Sequence, residues 1–575
     1  MMPREFDSSD FSSVTQASSL HAFRSRVSHW NGRTQLPEHD ACGVGFIADR
    51  YGRPNHDVVR YGLTALSRMR HRGGISADGR TGDGAGVMTE IPHGLLQQEL
   101  SDRSIELPEP GDYALAVCFF PWEQNMLAQA RQMFEEACRR HGLSVLMWRH
   151  VPVDESALGA IAAATRPDIW HAIIVRPDTI AAGRPFERVL YLVRRDYERD
   201  VRHRSWDEPE QTPYISSMSP RTVVYKGLLV AEDLERFYKD LRNPSFETRF
   251  ITFHQRYSTN TTPAWRRAQP YRMLAHNGEI NTLQGNINWF SAREAILSVP
   301  DWPEATLERL CPVIDVEGSD SAMLDNVAEL LTLSGRDIRH SLLMLVPEAW
   351  EKVADLPQEW KDFYRFHACL TEPWDGPAAL VFSDGQWVGA RLDRNGLRPM
   401  RYTVLSNGLV IAASETGVVD VEPELVVEHG KLGPGQMVAV DLASGRLLHD
   451  DEIKAELASL KPYGTWVQAS VRRLDDLLAT TESPVASLLS PRMLAMFGYT
   501  SEEVTVLMKP MAENGKEPDG SMGDDTPPAV FSQVHRPLHH YFKQRFAQVT
   551  NPPIDHLREE LVFSLTTRLG ARPNL

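Results

Sequence analysis

At 575 residues the chain has room for roughly two to four folding units, which excludes a peptide module or a small disulfide-stapled scaffold. Its composition, 42% hydrophobic and 24% charged, is that of a globular protein with a sizeable core. With 61 Lys and Arg against 77 Asp and Glu the net charge is −16, so the sequence points to no nucleic-acid partner.

The first 20 residues are polar, carry Glu5, Asp7 and Asp10 and lack an apolar h-region, which argues against a secretory signal. No run of about 18 apolar residues exists, so no membrane span is predicted. Five widely spaced cysteines with no CxxC fit a reduced, cytoplasmic protein and no local metal or cluster site. Residues 1–40, serine-rich between Ser8 and Ser19, read as a flexible leader. Ala41–Ala48 is a short apolar run predicted to form a buried strand. Val58, Val59, Gly62, Leu63, Leu66 and Met69 approximate one helical face, ending at His71-Arg72-Gly73-Gly74. Gly82–Gly86 is a mobile or tightly turned loop.

Farther along, strands are predicted at Tyr113–Phe120, Ser144–Arg149, Ala172–Val175, Val189–Val193, Thr222–Tyr225 and Phe250–His254, and helices at Asn125–Arg140 and Ala322–Leu333. After 376 the texture turns β-rich. Pro377–Ser383 and Gln386–Leu392 flank a hairpin signal at Asp384-Gly385, and a second lies at Ser444-Gly445, just past the strand Gln436–Asp441. Gly408–Ser414 is another strand. Punctuation at Glu482-Ser483-Pro484 and Ser490-Pro491 opens a second unit near 485, with a helical stretch, a loop-rich Met511–Pro528 and a helix-like tail over Pro537–Gly570.

Four motifs carry chemistry, and each has a bland alternative. Cys42 is a core cysteine at a strand start, or a nucleophile whose own α-amino group serves as base once the chain is cut before it. An α-amine of pKa about 7.7–8.0 beside a thiol of about 8.5 exchanges protons easily near neutrality. Taken alone, the core reading is favoured. Arg256, in His254–Asn260, forms a strand-end salt bridge or presents a planar fork to a carboxylate. Asn277-Gly278 is a plain turn, or an amide and an unshielded N–H converging on an oxyanion. Asp320, in Glu317–Ser321, caps the helix after it or receives an ammonium group. Together they supply the groups needed to hold an α-amino acid and attack its side-chain amide.

Cys42–Phe46, His71–Gly74, His254–Asn260, Leu274–Thr282 and Gly318–Ser321 resemble the class II glutamine amidotransferases, which are N-terminal-nucleophile (Ntn) hydrolases. Met511–Gly515, Ser521–Pro527 and Phe546–Asp555 extend the resemblance to the glutamate synthase large (α) subunits. The resemblance implies an α+β fold, a four-layer αββα sandwich followed by part of an α/β central domain. It implies a leader over 1–41 that is removed, an amidotransferase domain over 42–440, a connecting segment over 441–484 and the incomplete opening of the central domain over 485–575. It gives Cys42 as nucleophile, Asn277 and the Gly278 N–H as oxyanion hole, Arg256 as carboxylate clamp and Asp320 as ammonium acceptor, with the His71–Gly74 loop close by.

The implied activity is hydrolysis of L-glutamine to glutamate and ammonia, the ammonia passing to 2-oxoglutarate in glutamate biosynthesis. The family's FMN and iron–sulfur cluster are expected on sequence beyond Leu575, with none bound by this chain. The implied partners are a chain carrying that synthase region and a reductase or ferredoxin. A free-standing glutaminase or amidotransferase with another acceptor, and a catalytically silent interaction subunit, are the alternatives.

Overall fold

A computed structural model of the chain describes residues 42–575 except 205, 207–210, 257–261, 300–301, 303, 475–489, 516–528, 539–540, 542–559, 565 and 571–573. The expected leader lies outside the described residues.

Two antiparallel sheets face each other. The first has seven strands in the order Val426–Lys431 (β14), Arg401–Leu405 (β12), Leu409–Ala413 (β13), Gly43–Asp49 (β1), Phe250–Gln255 (β8), Ala85–Glu90 (β2) and Thr222–Gly227 (β7). The second has five: Leu447–Leu448 (β16), Met437–Asp441 (β15), Trp387–Leu392 (β11), Ala378–Ser383 (β10) and Leu274–Gly278 (β9). Alternation decides which side chains meet. Val44, Phe46 and Ala48 of β1 point inward and pack with Val381, Val388 and Val438 of the facing sheet, while Ile47 points outward to a separate core. Full burial of a side chain such as Phe46 contributes about 1.5–3 kcal/mol.

Helices cover both outer faces. The 56–68 helix, capped by the Asn55 side chain accepting from the Val58 N–H, lays Val59, Leu63 and Leu66 on the outside of the first sheet. Helices 320–333, 338–345 and 358–370 cover the second sheet, packing with Leu380 and Phe382. This is the αββα order expected from the sequence. The stretch 441–484, read there as a connector, carries β16 and the helix 450–458, and Leu448, Ile453 and Leu457 lie in that same core.

A third sheet of four strands runs Ser144–His150 (β4), Asp168–Val175 (β5), Tyr113–Phe120 (β3) and Tyr214–Ser219 (β6). One face is covered by helices 124–140 and 184–202, and the other, with Leu115, Val117 and Phe119, joins the outer core of the first sheet. The expected strand Val189–Val193 is corrected here: it is the middle of the helix Arg184–Arg202. A five-residue apolar run does not distinguish strand from helix. The surrounding burial does, because Phe186, Leu190, Val193, Tyr197 and Val201 fall on one helical stripe against the third sheet. Both hairpin signals hold, with Gly385 and Gly445 in the left-handed region at φ +80° and +72°.

The chain divides into two compact units, one running to Gly464 and taking in Ile554–Leu575, the other Thr465–Pro553. Within the second, short helices at Pro491–Met496 and Lys509–Asn514 leave Met496, Phe497 and Met511 largely exposed. The second of these helices occupies part of the stretch expected to be loop-rich. Most of the expected helix-like tail lies outside the described residues.

Candidate active site

The site is built where strands end. β1 and β8 pair with Gly43 opposite Gln255 and Val44 opposite His254, which sets Cys42 beside Arg256. β9 of the facing sheet ends at Asn277-Gly278. The two sheets are joined at this point by a hydrogen bond, the His254 Nε2–H donating to His276 O at 3.0 Å. Arg256 lies two residues beyond one partner of that bond and Asn277 one beyond the other.

Cys42 is buried, 8% exposed. Burial pushes its thiol up to about 11. Arg256 and Arg398 oppose that shift, while Asp83 and Asp320 add to it. Four charged groups, two of each sign, therefore face the sulfur. Arg256 and Asp320 are two of the residues singled out from sequence. Asp83 and Arg398 are not.

Arg256 holds an uncommon backbone, φ +84°, with its N–H donating to Gly84 O at 2.8 Å. A non-glycine residue there is strained, and such strain gathers at functional sites. Its guanidinium Nε is 3.8 Å from Asp83 Oδ2, too long for a hydrogen bond, and its buried Nη1 has no hydrogen-bond partner.

Asn277 is 1% exposed, and neither its Oδ1 nor its Nδ2 has a hydrogen-bond partner in the protein. An idle buried amide costs about 1–3 kcal/mol. Gly278 has φ +146°, and a Cβ there would lie 1.7 Å from Pro377 O. Only glycine fits.

Asp320 opens the helix 320–333, while Ser319 takes the N-cap, its Oγ accepting from the Ala322 N–H at 3.2 Å. The helix N-terminus favours the carboxylate. Asp320 Oδ2 accepts from the Ile280 N–H at 2.9 Å, and Oδ1 from the Ser321 N–H and Oγ–H at 2.7 and 3.1 Å. His276 Nδ1–H in turn donates to Ser321 Oγ at 2.7 Å, so Asp320 is fixed to the end of β9 by two routes. Burial pushes His254 down to about 3 and lowers His276, so both rings are neutral connectors rather than charges.

The His71–Gly74 loop lies against this cluster. His71 Nε2 is 2.6 Å from Glu415, to which Arg72 also pairs. A Cβ on Gly74 would come within 2.7 Å of Asp83 Oδ2. Cys118 and Cys138 are buried in the third-sheet layer with thiols raised by burial. Among the described residues no three His, Cys, Asp or Glu side chains gather as a metal would require.

Residues 42–466 match the family model of the class-II glutamine amidotransferases. The chain belongs to that family. Residues 492–575 match the glutamate synthase central domain. Among its relatives, ferredoxin-dependent glutamate synthase 2 of Synechocystis is 46% identical, the NADPH glutamate synthase large chain of Azospirillum brasilense 45% and that of Bacillus subtilis 41%, each over 94% of this chain. These alignments cover 34–35% of the relatives, so this chain spans about a third of their length. Among the described residues no helix is long and apolar enough to cross a membrane.

Proposed function

We propose that this chain hydrolyses L-glutamine to glutamate and ammonia, and that the ammonia is destined for 2-oxoglutarate in glutamate synthesis. The observation that carries the reading is the idle buried amide of Asn277 at the end of β9, on a site where Arg256 and Asp320 both face the Cys42 thiol.

In the proposed reaction the fork of Arg256 receives the α-carboxylate and Asp320 the α-ammonium. Cleavage after Ala41 frees the Cys42 α-amine, which takes the thiol proton. Sulfur attacks the side-chain carbonyl carbon, and the oxyanion is held by Asn277 Nδ2 and the Gly278 N–H. The C–N bond breaks as the α-ammonium returns its proton to the leaving nitrogen, giving ammonia and a γ-glutamyl thioester. Water, deprotonated by the same amine, cleaves the thioester to glutamate and restores the thiol.

Cleavage matters on charge grounds too. A thiol held near 11 by burial is a poor nucleophile at neutral pH without an adjacent base.

FMN and an iron–sulfur cluster, which the later reduction needs, are assigned to regions of the relatives outside the matched third. So is contact with the electron donor, which the relatives' names give as ferredoxin or NADPH. The reaction is placed in the cytoplasm on the scattered, unpaired spacing of the cysteines in sequence.

The expected outcome for Cys42→Ala is loss of ammonia release from glutamine. Active protein has an intact mass that begins at Cys42. Undiminished turnover in Cys42→Ala, or in a chain that still starts at Met1, refutes the mechanism.

A further inference from the structure

The turn Gly82-Asp83-Gly84 that leads into β2 has no part in the proposed reaction, yet it holds Arg256 in two ways. Gly84 O accepts the Arg256 N–H at 2.8 Å, and Asp83 Oδ2 stands 3.8 Å from the Arg256 Nε. Asp83 is 8% exposed, its Oδ1 has no hydrogen-bond partner, and the Asp83 N–H is tied to Gly74 O at 3.2 Å. A buried carboxylate with an idle oxygen is costly, and nothing in the packing requires it.

The mount is stiff. A Cβ on Gly82 would lie 2.1 Å from Leu229 O, and one on Gly74 2.7 Å from Asp83 Oδ2 itself. The Gly74 backbone lies against the carboxylate and hydrogen-bonds to it, which holds Asp83 at the Nε edge of the guanidinium. The Arg256 Nη1 is buried and has no hydrogen-bond partner. A guanidinium binds a carboxylate through two parallel N–H groups, so fixing one edge decides where the other points.

We propose that Asp83 is a positioning residue, which anchors the Nε edge of Arg256 so that the Nη edge meets the α-carboxylate of glutamine. This rests on the reading of Arg256 as the carboxylate clamp. It also gives the glycines of His71–Gly74 a reason: a side chain at 74 would displace the anchor.

The anchor has a pH signature. Burial pushes the Asp83 carboxyl up to about 6, against the Gly74 N–H and Arg256. The charged group that faces Asp83 is Arg256, just past β8, and both face the Cys42 thiol before β1, on which Arg398 after β11 and Asp320 at the head of its helix also act. Below about 6 Asp83 takes up a proton and its hold on Arg256 weakens.

The test is steady-state hydrolysis of L-glutamine by the processed full chain, with L-glutamate as competitive inhibitor. For the parent, KM for glutamine and Ki for glutamate are flat above pH 7 and rise as pH falls through 6. In Asp83→Asn both constants rise about tenfold at pH 7.5, the size of one lost charge-assisted contact, while kcat changes less than about threefold and the acid-side rise disappears. Gly74→Ala, which keeps the carboxylate but crowds it, raises KM in the same direction and supports the inference should Asp83→Asn fold poorly. If Arg256→Ala raises KM but Asp83→Asn leaves KM and its pH dependence as in the parent, the positioning role is overturned. If Arg256→Ala itself leaves KM unchanged, the clamp reading fails instead.

Discussion

Asn277 separates catalysis from stability at the level of one residue. Its amide makes no hydrogen bond in the protein, so Asn277→Ala removes no existing bond and opens only a small cavity. In the proposed mechanism the same amide is a donor to the developing oxyanion. Loss of one such donor lowers kcat by about 10²–10³-fold. The expected result is that drop in glutamine turnover, with KM little changed and a melting temperature close to the parent's. A purely structural asparagine gives the reverse, a falling melting temperature with activity intact. The proposed donors and ligands are legible in sequence because each sits in a short motif with its own chemistry, such as the Asn-Gly at 277–278. Asp83 and Arg398 are not, since a lone acid among glycines and an arginine after an Asn-Gly turn meet the thiol only when β1, β8, β2 and β11 are assembled.

Between elements, the helices 338–345 and 358–370 are joined by two buried histidines whose Nε2 atoms are 2.7 Å apart. His367 Nδ1 lies 2.8 Å from Phe363 O and therefore carries its proton, which leaves its Nε2 to accept from the His340 Nε2–H. A second proton has no acceptor there, and Arg336 adds repulsion. Burial lowers both rings below their usual value, His340 to about 3. Above pH 6.5 the rings are neutral in the folded and the unfolded chain alike, and the pair costs nothing. As pH falls below 6.5 the unfolded chain binds the protons first, so stability is lost by up to about 1.4 kcal/mol per pH unit for His340 until about 3, and His367 adds to the loss in the same direction. His340→Gln keeps a donor for His367 and loses one titration. Between pH 7.5 and 5.5 its midpoint in denaturant melts should fall less than the parent's, by an equivalent of about 1 kcal/mol. Parallel pH profiles for the two proteins count against the pair. Sequence patterning predicts neither helix, and it gives the run at 189–193 as strand. Helix 338–345 is buried at every residue, which blurs the alternation of apolar and polar residues from which elements are read, and the apolar run at 189–193 is too short to show a period.

At the scale of the whole molecule, the boundary between family matches and the boundary between compact units differ. Residues 492–575 match the glutamate synthase central domain, yet Ile554–Leu575 belongs to the amidotransferase body. The attachment is polar and specific. Lys352 Nζ donates to Glu560 O at 2.6 Å, and Glu351 accepts from Thr566 Oγ1 at 3.0 Å, from Arg568 at 3.1 Å and from Ser564 Oγ. Arg394 Nη1 donates to Val562 O at 3.3 Å, and its Nε pairs with Asp375 at 3.1 Å. Asp375 O accepts the N–H groups of Asn281 and Thr282, three and four residues past Gly278. The tail is thus tied through Arg394 and Asp375 to the segment leaving the proposed oxyanion hole. A chain ending at Pro553 is expected to melt lower than the parent and to hydrolyse glutamine more slowly. Glu351→Ala, which leaves three donors without their acceptor at a partly exposed site, should destabilise by about 1–3 kcal/mol. Arg394→Ala should act in the same direction, and the double variant should lose less than the sum, because both side chains hold one tail. Additive losses mean that the two contacts act independently. A shortened chain with the parent's melting point and turnover means that the tail rests on the body without supporting it.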